Sequence, residues 1–129
     1  MISMEKIVIE PTTETPKVIL DKGNNIFEFS GYSLPEDVVT FFSPIIEWFD
    51  EYAQKPNRET KVTFNFLYYN TSSSKMILLL LEKCREIHRN GNDIEVHWHY
   101  MEDDEDMIEA GEDYSENIKV PFKFIAHSR

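Results

Sequence analysis

Basic residues are scarce in this 129-residue sequence: 13 Lys and Arg stand against 24 Asp and Glu, a formal net charge of −11. Phosphate backbones are bound by clustered Lys and Arg that release counterions, and no such cluster occurs. Direct nucleic-acid binding and docking on anionic membranes are disfavoured, and a partner should be neutral or basic where it meets the acidic faces. Cys84 is the single cysteine, so no internal disulfide forms and nothing points to an oxidising compartment. The longest apolar run, Met76 to Leu81, is far too short to span a bilayer. The opening residues, Met1 to Lys6, lack the basic start and long apolar stretch of a secretory signal. The expected location is the cytoplasm. Only four glycines occur. There is no Gly-rich phosphate loop, no nucleophile elbow and no base placed beside a nucleophile, which argues against an enzyme.

What the chain does have is a core: 41% hydrophobic and 13% aromatic residues suffice for one compact domain spanning 1–129. No internal repeat or low-complexity segment divides it. Short strands are expected first, over Met4 to Glu10, Lys17 to Leu20 and Ile26 to Ser30. Asp21-Lys22-Gly23-Asn24 supplies a turn, so hairpin connections follow. Ser33-Leu34-Pro35-Glu36 has the composition of a capping box with proline in the first turn. Apolar residues from Val38 to Tyr52 then recur at helical spacing as far as Gln54. Pro44 interrupts them and should kink that helix, or restart it with Ser43 as a second cap.

Lys61 to Tyr69 and Asp93 to Tyr100 alternate apolar and polar residues, and Ser72 to Asn90 between them reads as a helix ended by Gly91. Strand, helix, strand at this spacing is a βαβ unit with parallel strands. Parallel strands covered on both faces read as continuous apolar runs. These alternate, which implies helices on one face and a polar opposite face. A third helix over Asp103 to Glu116 and a last strand over Pro121 to Ala126 complete the expectation: an α/β fold, with a mixed sheet and three helices mainly on one side.

The junction Tyr68-Tyr69-Asn70-Thr71-Ser72-Ser73-Ser74-Lys75 carries the functional signal. A helix needs one capping residue, whose side-chain oxygen accepts an orphan N–H of the first turn. Here Asn70 to Ser74 are five in a row, four with hydroxyls. A helix start carries free N–H donors and the positive dipole end, so it accommodates an added phosphate. Lys75, one turn beyond Thr71, could pair with it. A plain, well-capped polar turn explains the same residues. Met76 to Leu81 is apolar for more than a turn, so this helix is either buried on nearly all sides or partly exposed for a partner.

Leu67 to Lys75, Trp98-His99-Tyr100 and Pro121-Phe122 together resemble the SiaC-type regulatory phosphoproteins, with order and spacing matching from about Lys17 to Ala126. The resemblance implies a fold like the STAS domains of anti-sigma-factor antagonists. It also implies a threonine, by position Thr71, that a Ser/Thr kinase phosphorylates and a PP2C-like phosphatase restores. The unmodified form is expected to bind and activate a diguanylate cyclase, in cyclic-di-GMP and biofilm signalling. Tyr69, Asn70, Ser72, Ser73 and Lys75 would form the partner surface around Thr71. Pro44 departs from the uninterrupted first helix expected of the family.

Other constellations are weaker. His97 and His99 share a strand face but supply two ligands where structural metal sites need three or four; a solvated face is the simpler reading. Cys84 and His88 likewise make only a pair, and Cys84 belongs with the core. An EF-hand register starting at Asp106 places Gly111 correctly but puts Ile108 and Ala110 at ligand positions. No cofactor or metal is implied. The alternative to a switch is a constitutive adaptor using the same helix face, with a small catalytic or metal-binding domain further behind.

Overall fold

A computed structural model of the protein describes residues 4–128. In chain order the elements are β1 (Ile7–Ile9), β2 (Lys17–Asp21), β3 (Ile26–Ser33), α1 (Val38–Gln54), β4 (Glu59–Tyr69), α2 (Thr71–Arg89), β5 (Asp93–Met101), α3 (Glu105–Ile118) and β6 (Phe122–His127). The six strands form one sheet in sequential order. β1, β2 and β3 pair antiparallel, whereas β3 to β6 run parallel. Each parallel step needs a crossover helix, and crossovers are right-handed. Three steps in the same direction therefore place α1, α2 and α3 side by side on one face, with α2 packed between its neighbours. The expected mixed sheet with three helices on one side is the fold observed.

Side-chain alternation follows this layering. Val62, Phe64 and Phe66 of β4 and Ile94, Val96 and Trp98 of β5 are buried beneath the helices. Each fully buried large apolar side chain contributes about 1.5–3 kcal/mol. α1 adds Phe42, Ile45, Phe49 and Tyr52 at helical spacing, and Phe29 stacks on Phe64 at 5.2 Å. In α2, Ile77, Leu80, Leu81, Cys84 and Ile87 are buried, and Met76 and Leu78 are half-buried. Only Leu79 of the apolar run is well exposed. Flanking helices, rather than a waiting partner, account for that run.

Several boundaries differ from expectation. α1 starts at Val38 with Asp37 as its cap: the carboxylate accepts from Thr40 N at 3.1 Å and Thr40 Oγ1 at 2.7 Å. Ser33 is not a cap. β3 runs on to Ser33, which pairs with Tyr69 after a bulge at Gly31/Tyr32, where Gly31 takes φ 99°. Pro44 neither divides nor restarts α1. Proline removes only the hydrogen bond to the Thr40 carbonyl, and both residues lie on the exposed side, within reach of water. α2 begins one residue earlier than expected, at Thr71. It ends in a Schellman turn: Gly91 N donates to His88 O, Asn92 N donates to Ile87 O, and Gly91 takes φ 92°.

Candidate docking and modification site

The C-terminal ends of β3 and β4 meet the start of α2 at one rim of the sheet. Asn70 is the cap, its Oδ1 accepting from Ser73 N at 2.8 Å. Ser74 Oγ donates back to Thr71 O at 2.6 Å. Ser73 is fully buried, donates to Ser33 O at 2.9 Å and meets Ser33 Oγ at 2.9 Å. Asn70 N donates to the same Ser33 carbonyl at 3.0 Å. Of the four hydroxyls in the run, two are therefore spent on structure. Those of Thr71 and Ser72 lie on exposed residues and make no hydrogen bond among the described residues.

Ser73 is corrected on this basis. A side chain sealed between β3 and α2 cannot touch a partner; it fixes the frame that presents Thr71. Lys75 is exposed, one turn from Thr71 on the same helix face, and has no ion pair among the described residues.

Tyr69 is also more structural than expected. It is half-buried, with its ring edge-on to Phe66 at 5.7 Å and to Trp98 at 6.4 Å. Its hydroxyl bonds to that of Tyr114 on α3, and Tyr114 donates to Ser74 O at 2.9 Å. Burial, then Tyr114, then Asp104 and Asp113 push the Tyr69 phenol well above its ordinary range. It stays a proton donor. The Tyr69–Tyr114–Ser74 chain thus clamps the first turn of α2 from the α3 side, while the Ser33–Ser73 link holds it from the β3 side.

Three residues outside the expected site complete the rim: Tyr32, Leu67 and Tyr68, which are 44%, 47% and 54% exposed. Tyr32 and Tyr68 are register partners at the ends of β3 and β4. A signal for them existed, because Leu67-Tyr68-Tyr69 breaks the alternation of β4, and consecutive apolar residues cannot all face one side. Beside them, Leu67, Tyr68, Tyr69 and Met107 line a cavity of about 290 Å³ together with Asp104 and Asp106.

The remaining candidates stay apart from this rim. His97 is nearly buried, hydrogen-bonded to Glu95, and not solvated as its alternating position suggested. His99 Nδ1 lies 2.7 Å from His127 Nε2. Among the described residues no group of three or more His, Cys, Asp or Glu is placed to hold a metal. None of the described helices is long and apolar enough to cross a membrane. Cys84 is fully buried, and burial raises its thiol to about 12.

Fold and rim together define a small α/β domain with its helices on one face of the sheet. The SiaC family regulatory phosphoprotein model matches residues 9–127, and the chain belongs to that family. An uncharacterised protein of Pseudomonas aeruginosa strain UCBPP-PA14 is 29% identical over 124 residues, 96% of this chain and 98% of the relative. Apo-SiaC from Pseudomonas aeruginosa superposes with a TM-score of 0.86 at 28% identity, covering 95% of this chain and all of that one. SiaC from the same organism, in a crystal structure as activator in complex with the diguanylate cyclase SiaD, superposes at 0.88 with 29% identity, covering 94% and 99%.

Proposed function

We propose that this protein is a cytoplasmic phosphorylation-controlled regulator that docks a diguanylate cyclase through the rim around Thr71, and that Thr71 is its phosphoacceptor. A Ser/Thr kinase adds the phosphate and a PP2C-like phosphatase removes it. One observation carries the reading: the cap and the locks of α2 are supplied by Asn70, Ser73 and Ser74, which leaves the Thr71 hydroxyl exposed and uncommitted at the first helical position. The SiaC–SiaD complex supports the choice of partner.

Thr71 and its neighbours Asn70 and Ser72 are uncharged and able to hydrogen-bond, Tyr32, Leu67 and Tyr68 offer apolar contact, and Lys75 lies one turn away. A phosphate brings nearly two charges and three acceptor oxygens. Burying it against a partner without a matching cation costs several kcal/mol, and each 1.4 kcal/mol is tenfold in affinity. Two clamps already hold the α2 start, so release needs no rearrangement of the domain.

Co-expression with the cognate kinase followed by intact-mass and peptide analysis tests the acceptor: one phosphate should appear at Thr71 and vanish in Thr71→Ala. Binding assays test the consequence. Thr71→Ala should keep cyclase affinity, while Thr71→Glu should lose at least about tenfold. Equal binding by the two variants would overturn the switch and leave a constitutive adaptor.

A further inference from the structure

The cavity between the end of β4 and the start of α3 is built unlike the rest of the rim. Leu67, Tyr68, Tyr69 and Met107 provide apolar and aromatic walls, and Asp104 and Asp106 bring two carboxylates. Among the described residues no basic side chain lines it, and neither carboxylate has an ion pair. Asp104 caps α3 through Oδ1, which accepts from Met107 N at 3.1 Å. Its Oδ2 remains for another donor, because a carboxylate has lone pairs on both oxygens.

A cavity that combines apolar walls with two carboxylates suits a side chain with an aliphatic stem and a cationic head. We propose that this cavity receives a Lys or Arg side chain of the docking partner, its stem against Leu67 and Tyr68 and its charge on Asp104 and Asp106. The aromatic rings add a cation–π attraction for the same group. The cavity shares Leu67, Tyr68 and Tyr69 with the rim that carries Thr71, so the inference rests on the docking reading above and names what the partner must carry. Long-range attraction alone would make a more negative protein bind such a partner more tightly. Release on phosphorylation therefore requires that Thr71 itself lie in close contact, where dehydrating the phosphate outweighs the attraction.

The test uses the full chain and the diguanylate cyclase, with affinity measured at low and high salt. Asp104→Asn/Asp106→Asn removes both charges and keeps the cap, since Asn caps as well as Asp. Asp106→Asn alone, at an exposed position, serves should the double variant fold poorly. The double variant should bind at least about tenfold more weakly, with a flattened salt dependence, and the single variant should show a smaller loss in the same direction. Unchanged affinity and salt dependence in these variants, with binding still lost in Thr71→Glu, would overturn the cation pocket alone. Unchanged affinity in all of them, or no binding by the wild-type chain, would overturn the docking reading as well.

Discussion

Replacing Gly111 by alanine separates two physical effects of opposite sign. Gly111 lies within α3, where glycine costs about 1 kcal/mol relative to alanine. On propensity alone the substitution stabilises. A Cβ at this position, however, would lie 2.5 Å from Trp98 Cδ1, 2.6 Å from Trp98 Nε1 and 2.8 Å from Phe124 Cε1. Trp98 cannot easily yield, being buried and donating from Nε1 to Met107 O at 2.9 Å. Either α3 lifts or the indole loses its hydrogen bond. Overpacking of this kind costs about 1–3 kcal/mol, and the hydrogen bond is worth about 1 kcal/mol more. After the propensity gain, a net loss of about 1–3 kcal/mol remains. Unfolding entropy of about 2.1 cal/mol/K per residue gives ~0.27 kcal/mol/K for this chain. Calorimetry of Gly111→Ala should therefore show Tm lowered by roughly 4–11 °C. A Tm unchanged or raised would refute the close approach of α3 to Trp98. The displacement should also reach the rim, because Tyr114 on the same helix clamps the first turn of α2.

Ser73→Ala orphans the buried Ser33 hydroxyl, while the Ser33 carbonyl keeps Asn70 N as a donor. About 1–2 kcal/mol should be lost in urea unfolding; a neutral result would mean that the link between β3 and α2 is not a lock. Cys84 should resist a thiol reagent at pH 8 in the native protein and react once denatured, given its burial and its pKa raised to about 12. Rapid native labelling would contradict the packing of α2. His99 is held below the ordinary 6.5 of histidine by burial first, then by His127, His97 and Lys61. Its folded value thus lies below its unfolded one, and the folded state binds fewer protons. The contribution is full above about pH 6.5 and is lost as pH falls through the lower folded value. The urea midpoint should fall over that window, and less so in His99→Asn; an NMR titration midpoint for His99 at or above 6.5 would contradict this.

The parallel half of the fold is legible from local pattern because period and punctuation agree there. β4 alternates from Glu59 to Phe66 and β5 from Asp93 to Tyr100, and Gly91 marks the stop of α2 by the φ it must adopt. The start of α1 is not legible. Ser33-Leu34-Pro35-Glu36 satisfies every local rule for a cap, yet parallel pairing with β4 draws Ser33 into the sheet, and Asp37 takes the role. β1 shrinks to Ile7–Ile9 for a related reason: an edge strand extends only as far as its one neighbour pairs with it. At the rim the hydroxyl run is visible in the sequence, but the division of labour within it is not. Ser33 and Ser73 stand 40 residues apart, and no spacing rule brings them together. Tyr114 is hidden in the same way, on a helix whose angle over Trp98 is set by a missing Cβ at Gly111.

Strand direction has a practical corollary for anyone who tethers this molecule. β1 runs the same way as β3 to β6, since two antiparallel steps restore the sense. The polypeptide thus enters at the end of the sheet away from Thr71 and leaves β6 at the Thr71 end, where Glu102 N meets His127 O at 2.8 Å. A dye, bead or fusion partner joined ahead of β1 hangs about one strand length, roughly 25 Å, clear of Thr71, whereas the same cargo joined after His127 sits at the same end of the sheet as Thr71.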